Sequence, residues 1–170
     1  SYIAGLREAG LDVVFVVDAT GSMGWVLDEV KDRIEDIAAV VRSLVPIARF
    51  GFVAFRDKKD PEFVTRIEPL TYSTNKLKMF LSSLEALGGG DWFEAIDEGL
   101  RVAIEESGWR IGARRLIILI GDAPIRESQL RGVVRLAEQF RRSEGTISTL
   151  DVSDQANPHL LEAKVGRKVA

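Results

Sequence analysis

Leu11-Asp12-Val13-Val14-Phe15-Val16-Val17-Asp18-Ala19-Thr20-Gly21-Ser22-Met23-Gly24 passes from an almost unbroken apolar, β-branched run straight into a cluster of oxygen-bearing side chains. A run of that length bounded by Asp and Gly reads as a strand buried on both faces, in the middle of a parallel sheet, and such a strand needs helices on either side. Asp18, Thr20 and Ser22 then recur at alternate positions on a tight turn that opens a helix. That spacing can aim three oxygens at one point. Carboxylate and hydroxyl oxygens are hard donors, suited to a small hard cation such as Mg2+. The helix N-terminus could hold an anion there instead, and helix capping without any metal is the bland alternative.

Outward from this stretch the chain alternates between two kinds of pattern. Leu27, Val30, Ile34, Ile37, Val41 and Leu44 recur at three- and four-residue steps, which predicts a long amphipathic helix from Trp25 to about Val45, ended by Pro46. Residues 47–55 read as a second buried strand. After the polar turn 56–62, Phe63 to Leu70 reads as a short strand in an antiparallel hairpin with it, because so close a connection leaves no room for a crossover. Ser73-Thr74 opens a helix of about ten residues. Gly88-Gly89-Gly90-Asp91 stops it and begins another, from about Phe93 to Ser107. A fourth strand at 115–120 ends in Gly121-Asp122-Ala123-Pro124. A helix over 127–142 is expected to turn Leu130, Val133, Val134, Ala137 and Phe140 inward, and a fifth strand follows at 146–152. A short helix around Leu160 and the start of a sixth strand complete the reading. With the first, second and fourth strands rising, the third descending and the helix after it climbing, Asp18–Ser22, Gly88–Asp91 and Asp122 fall on one edge.

Asp18-Ala19-Thr20-Gly21-Ser22-Met23 after a hydrophobic strand resembles the D-x-[S/T]-x-S motif that opens the metal-ion-dependent adhesion site of von Willebrand factor type A domains. The resemblance covers nearly the whole chain and implies a doubly wound, Rossmann-like α/β fold: a mostly parallel central sheet with one antiparallel edge strand and helices on both faces. It implies that Thr20 and Ser22 bring hydroxyls to a metal that Asp18 and Asp122 hold directly or through water. Asp91 stands in the second loop, where many members carry threonine and bacterial-type members often carry Gly-Gly-x-Asp. A carboxylate there strengthens metal binding and weakens the pull on an incoming acidic group. Asp91-x-x-Glu94 equally has the form of a capping box. Trp25 and Trp92 follow the proposed metal loops and read either as recognition anchors or as packing. Arg56-Asp57 is similar to a pair found in some type A domains, although a solvated turn is the expectation.

The implied function is that of a protein-binding module, not an enzyme, which recognises an acidic side chain of a protein partner through bound Mg2+, with Mn2+ or Ca2+ as other candidates. The alternative is a type A module of a metal-dependent enzyme assembly, of the chelatase or ATPase-partner kind, without catalysis of its own. The compartment is left open, with the adhesion reading leaning to the cell envelope.

Bulk properties fit a single domain over residues 1–170, expected to be a monomeric piece of a longer protein because the chain starts at Ser1. With 46% hydrophobic and 29% charged residues the composition is ordinary for a globular chain, so no disordered class is invoked. A net charge of −3 and the lack of a basic stripe argue against binding nucleic acid through its phosphates. The absence of cysteine removes disulfides, zinc-thiolate sites and thiol nucleophiles, and no apolar run is long enough to insert in a membrane. Thr20-Gly21-Ser22-Met23-Gly24 nearly repeats a G-x-S-x-G nucleophile elbow, but Thr20 stands where glycine is needed, and His159 has nothing near it to orient its ring. Thr20 also stands where a haloacid dehalogenase-type phosphotransferase needs its second aspartate. No lysine follows the glycine run and no G-x-G-x-x-G occurs, so phosphate-loop and dinucleotide sites fall away.

Overall fold

The computed structural model describes residues 1–87, 95–122 and 125–152. The expectations for Gly88–Glu94, for Ala123-Pro124 and for everything after Val152, including Asp91, Trp92, His159, the helix near Leu160 and the sixth strand, lie outside the described residues.

The apolar run forms β1 (Leu11–Asp18), flanked in parallel by β2 (Ala48–Phe55) and β4 (Arg114–Gly121). Outside β4 lies parallel β5 (Gly145–Asp151), and outside β2 lies antiparallel β3 (Thr65–Thr71). The order is β3-β2-β1-β4-β5, so winding reverses at β1, between β2 and β4. The doubly wound, mostly parallel sheet with one antiparallel edge strand is the expected fold.

Strand parity sorts the core into two layers, since successive side chains point to opposite faces. Val13 and Val17 pack with α2 (Gly24–Leu44) and α3 (Thr74–Ser82) on one face. Val14 and Val16 pack with α4 (Ile96–Glu106) and α5 (Glu127–Arg142) on the other. The opening segment is helix α1 (Tyr2–Ala9), capped by the Ser1 hydroxyl and anchored through Leu6. Ser73 caps α3 as its sequence position suggests, its hydroxyl accepting from the Lys76 amide.

Two local features depart from pattern reading. β2 and β3 slip register between Phe50 and Phe52, where Gly51 lies so close to the neighbouring strand that an added Cβ would stand 3.0 Å from the Glu68 carbonyl oxygen. A bulge with glycine at the close approach is the usual solution. In α5, Leu130 and Val134 are 47% and 46% exposed, whereas Gln129, Val133 and Phe140 are buried and Leu136 packs against them. Val133 and Phe140 thus lie inward as expected, while the buried face turns toward Gln129, whose side-chain amide donates to Asp97 Oδ1 on α4 at 3.3 Å. On the opposite face an apolar groove of ≈ 540 Å³ runs between α2 and the strands, lined by Phe15, Ile34, Val41, Ile118 and Leu150 among others. No helix among the described residues is long and apolar enough to cross a membrane.

Candidate functional site

The parallel strands β1, β2, β4 and β5 end on one edge, and α2, α4 and α5 begin there. Open α/β sheets bind ligands at this edge, where the winding reverses. Asp18 is the last residue of β1 and has no solvent exposure. Its Oδ1 accepts from the Thr20 amide at 2.8 Å and from the Thr20 hydroxyl at 2.7 Å, so the carboxylate folds the turn that follows it. Ala19 and Thr20 are buried beside it. A short 3-10 turn, Gly21–Met23, then leads into α2, closed by the Met23 amide on the Thr20 carbonyl at 2.9 Å and pinned by the fully buried Met23 side chain. Ser22, between these anchors, is exposed.

The register brings β4 to the same point. Val17 pairs with Ile120, and a Cβ built on Gly121 would lie 3.8 Å from the Asp18 Cβ, so the half-buried Asp122 follows directly on a residue that touches Asp18. The Gly121 carbonyl accepts from the Val152 amide at 2.9 Å, which fixes the end of β4 against the exit from β5. The ends of β1 and β4 therefore sit side by side. Trp25, 38% exposed, lines a groove of ≈ 270 Å³ with Val26, Ile120, Leu150 and Val152 close to this edge.

At the end of β2 the structure corrects the reading of 56–57 as a solvated turn. Arg56 is 2% exposed and Asp57 9%. The Arg56 guanidinium lies 4.1 Å from the Phe63 ring centre, donates to Glu62 Oε2 at 2.7 Å and to the Glu85 carbonyl at 2.6 Å. Asp60 beside it is held below the usual carboxylate range, chiefly by the Glu62 amide, with the Phe63 amide and Arg56 adding to the effect against some burial. The resemblance singled out Arg56-Asp57, but the polar run around the pair gave no sign of this burial.

Among the described residues no group of three or more His, Cys, Asp or Glu side chains is gathered as a metal cage. The donors that the described residues bring to this edge are two carboxylates, Asp18 and Asp122, and the hydroxyls of Thr20 and Ser22, all hard oxygens. Two carboxylates balance the charge of one divalent ion, and a hydroxyl that donates to Asp18 keeps its lone pairs for other use. The set fits such an ion.

An open α/β sheet with a buried aspartate and hydroxyls at its switch point has polar groups where such sheets take up ligands. Residues 12–158 match the von Willebrand factor A domain model, and the chain belongs to that family. It is 29% identical over 117 residues to the alpha-protein kinase vwkA of Dictyostelium discoideum, covering 67% of this chain and 18% of the kinase. The chain thus spans less than a fifth of that relative. Among solved structures it is similar to the protein BatB of Bacteroides thetaiotaomicron, with a TM-score of 0.62, 22% identity, and coverage of 84% of this chain and 66% of that one. It is also similar to the pilus adhesin SpaC of Lactobacillus rhamnosus GG in its open conformation, with a TM-score of 0.63, 13% identity, and coverage of 91% and 26%. At these identities the structural likeness shows the fold. Domains of this family generally serve in protein–protein interaction.

Proposed function

We propose that this domain binds a divalent cation, Mg2+ first among the candidates, and uses it to recognise an acidic side chain of a protein partner. The observation that carries the reading is the buried Asp18 at the switch point, its carboxylate shaping the Thr20 turn, with the end of β4 and Asp122 alongside. Asp18, Thr20, Ser22 and Asp122 would hold the ion, with Asp91 as a further ligand or as a helix cap. Bound there, a divalent ion supplies a Lewis-acidic position that a carboxylate can occupy. The chain's own part is to keep the turn in shape: Asp18 orients Thr20, and buried Met23 holds Ser22 at the rim. Recognition in this reading is non-covalent.

A second reading has an observation of its own. The match to vwkA covers a small part of a kinase, so the domain can serve as the recognition module of a larger enzyme assembly. Both readings share the cation.

Mg2+ titration followed by thermal unfolding tests it. Wild type should gain stability with Mg2+ and lose the gain with chelator, and Asp18→Ala and Asp122→Ala should not respond. Equal responses in all three proteins would remove Asp18 and Asp122 from the site. Asp91→Ala separates the roles of that residue: a ligand lost weakens the Mg2+ response, whereas a cap lost costs about 0.5–2 kcal/mol in metal-free protein.

A further inference from the structure

We infer that Arg56 is a positioning residue for the Asp18–Thr20 turn, acting through residues 84–87; the inference rests on the cation-site reading given above. An arginine with 2% exposure is unusual, and its bonds are directed: both Nη atoms donate, while Nε has no hydrogen-bond partner among the described residues. Here one residue ties several segments together. Its amide donates to the Val64 carbonyl at 3.0 Å, and its own carbonyl accepts from the Ala95 amide at 2.9 Å. Its guanidinium joins Glu62, in the turn between β2 and β3, to the Glu85 carbonyl, beyond α3.

Residues 84–87 form a strap between α3 and the site, held at successive points. The Leu84 carbonyl accepts from Lys31 Nζ on α2 at 2.7 Å, and the Glu85 carbonyl from Arg56 at 2.6 Å. Two residues on, the Leu87 amide donates to the Ala19 carbonyl at 3.3 Å. The Ala19 carbonyl and the Thr20 amide belong to one rigid peptide plane. That plane is therefore gripped from both sides, by Leu87 on its oxygen and by Asp18 Oδ1, 2.8 Å from its nitrogen. Any shift of the strap tilts the plane and with it the bond that orients the Asp18 carboxylate. The Leu87 contact is the longest bond in the series, so the side-chain anchors at 84 and 85 are what keep it. Arginine suits the task because its planar fork reaches Glu62 and Glu85 at once, while a lysine ammonium sits at one point.

The test compares full-chain wild type, Arg56→Lys and Glu62→Gln, with Lys78→Ala as a surface control. Amide hydrogen exchange and 15N chemical shifts are read at Leu87 and Thr20, with Val16 in β1 as the internal reference, and Mg2+ affinity is measured by calorimetry. The expected result for Arg56→Lys is a drop of about tenfold in protection at Leu87 and Thr20, with Val16 little changed. A moved Thr20 amide resonance and a Mg2+ Kd weaker by about tenfold should accompany it. Glu62→Gln should move the same amides less, and it carries the test should Arg56→Lys fail to fold. Unchanged Leu87 and Thr20, or a loss spread evenly over all amides including Val16, overturns the inference. Wild type that ignores Mg2+ would instead sink the cation reading, while the exchange data would still judge whether Arg56 holds the turn.

Discussion

Strand β1 carries a fully buried aspartate at each end, on the same face of the sheet, and the two are held in different ways. At the lower end Asp12 is enclosed by two arginines. Arg49 donates from Nε to Oδ1 at 3.0 Å and from Nη2 to Oδ2 at 2.9 Å. Arg110 donates its Nε to Oδ1 and its backbone amide to Oδ2, both at 2.9 Å. The same Arg110 continues to the Tyr72 hydroxyl and the Ile47 carbonyl, so one carboxylate organises the floor of the sheet. At the upper end, the Asp18 bonds that define the site come from its own turn, from Thr20. Burial of an acid at a strand end does not by itself mark a site. An acid already bracketed by two guanidinium groups serves the fold, whereas one that shapes an oxygen-rich turn at the switch point can serve a ligand.

The sharpest way to break this contrast is to remove each acid in turn. Asp12→Ala leaves two guanidinium groups facing a space built for a carboxylate, and losing one partner of a buried ion pair is costly. Because Arg49 and Arg110 keep some contact with water, the expected loss is about 3 kcal/mol, at the lower end of that range. It is read as a lower urea midpoint, and the response to Mg2+ should survive in what remains folded.

Asp18→Ala should do the reverse. Without metal its midpoint should move less than that of Asp12→Ala, through loss of the two Thr20 bonds. With Mg2+ at a hundred times Kd, wild type should gain about 2.7 kcal/mol and the variant nothing. If both variants lost stability equally and neither differed from wild type in Mg2+ response, the distinction between a structural and a functional end of β1 would collapse.

Acid titration sharpens the lower half of the comparison. Burial alone would raise the pKa of Asp12, but the hydrogen bonds from Arg49 and Arg110 outweigh it and bring the group below its ordinary value. A carboxyl whose folded pKa is depressed contributes stability that is complete above the unfolded value, near 3.9, and is lost as pH falls through the folded one. Wild type should therefore lose its urea midpoint steeply below about pH 4, and Asp12→Asn should follow a shallower slope over the same window. Parallel slopes would mean that other carboxyl groups govern acid unfolding.

Much of the fold was legible because it rests on local period. The apolar run of β1, the stop at Pro46, the short connection that forces β3 to run antiparallel and the limits of α5 could all be taken from neighbouring residues. The convergence of Asp18 with the end of β4 was legible too, since strand direction alone places both on the upper edge. What stayed hidden depends on partners far away in sequence. Asp12 looked like one more strand residue because Arg49 and Arg110 lie 37 and 98 positions from it. The polar stretch after β2 looked solvated because nothing local shows that Phe63 and Glu85 enclose Arg56. The face of α5 was legible at Val133 and Phe140 but not at Gln129, whose partner Asp97 lies 32 positions away.

The smallest effect is also the most discriminating about how the lower clamp is built. Arg49→Lys keeps a positive charge beside Asp12 but gives up the two-pronged contact and the bond from Nη2 to the Gly108 carbonyl at 2.9 Å. Arg110 still donates to both carboxylate oxygens, one through its side chain and one through its backbone. The expected cost is about 1 kcal/mol, the net worth of a hydrogen bond whose acceptor is not left bare. Urea unfolding measures it, with the Mg2+ response as the control that should not move. A loss as large as that of Asp12→Ala would show that the carboxylate depends on Arg49 alone. The floor of the sheet would then be held by one ion pair, with Arg110 a bystander to it.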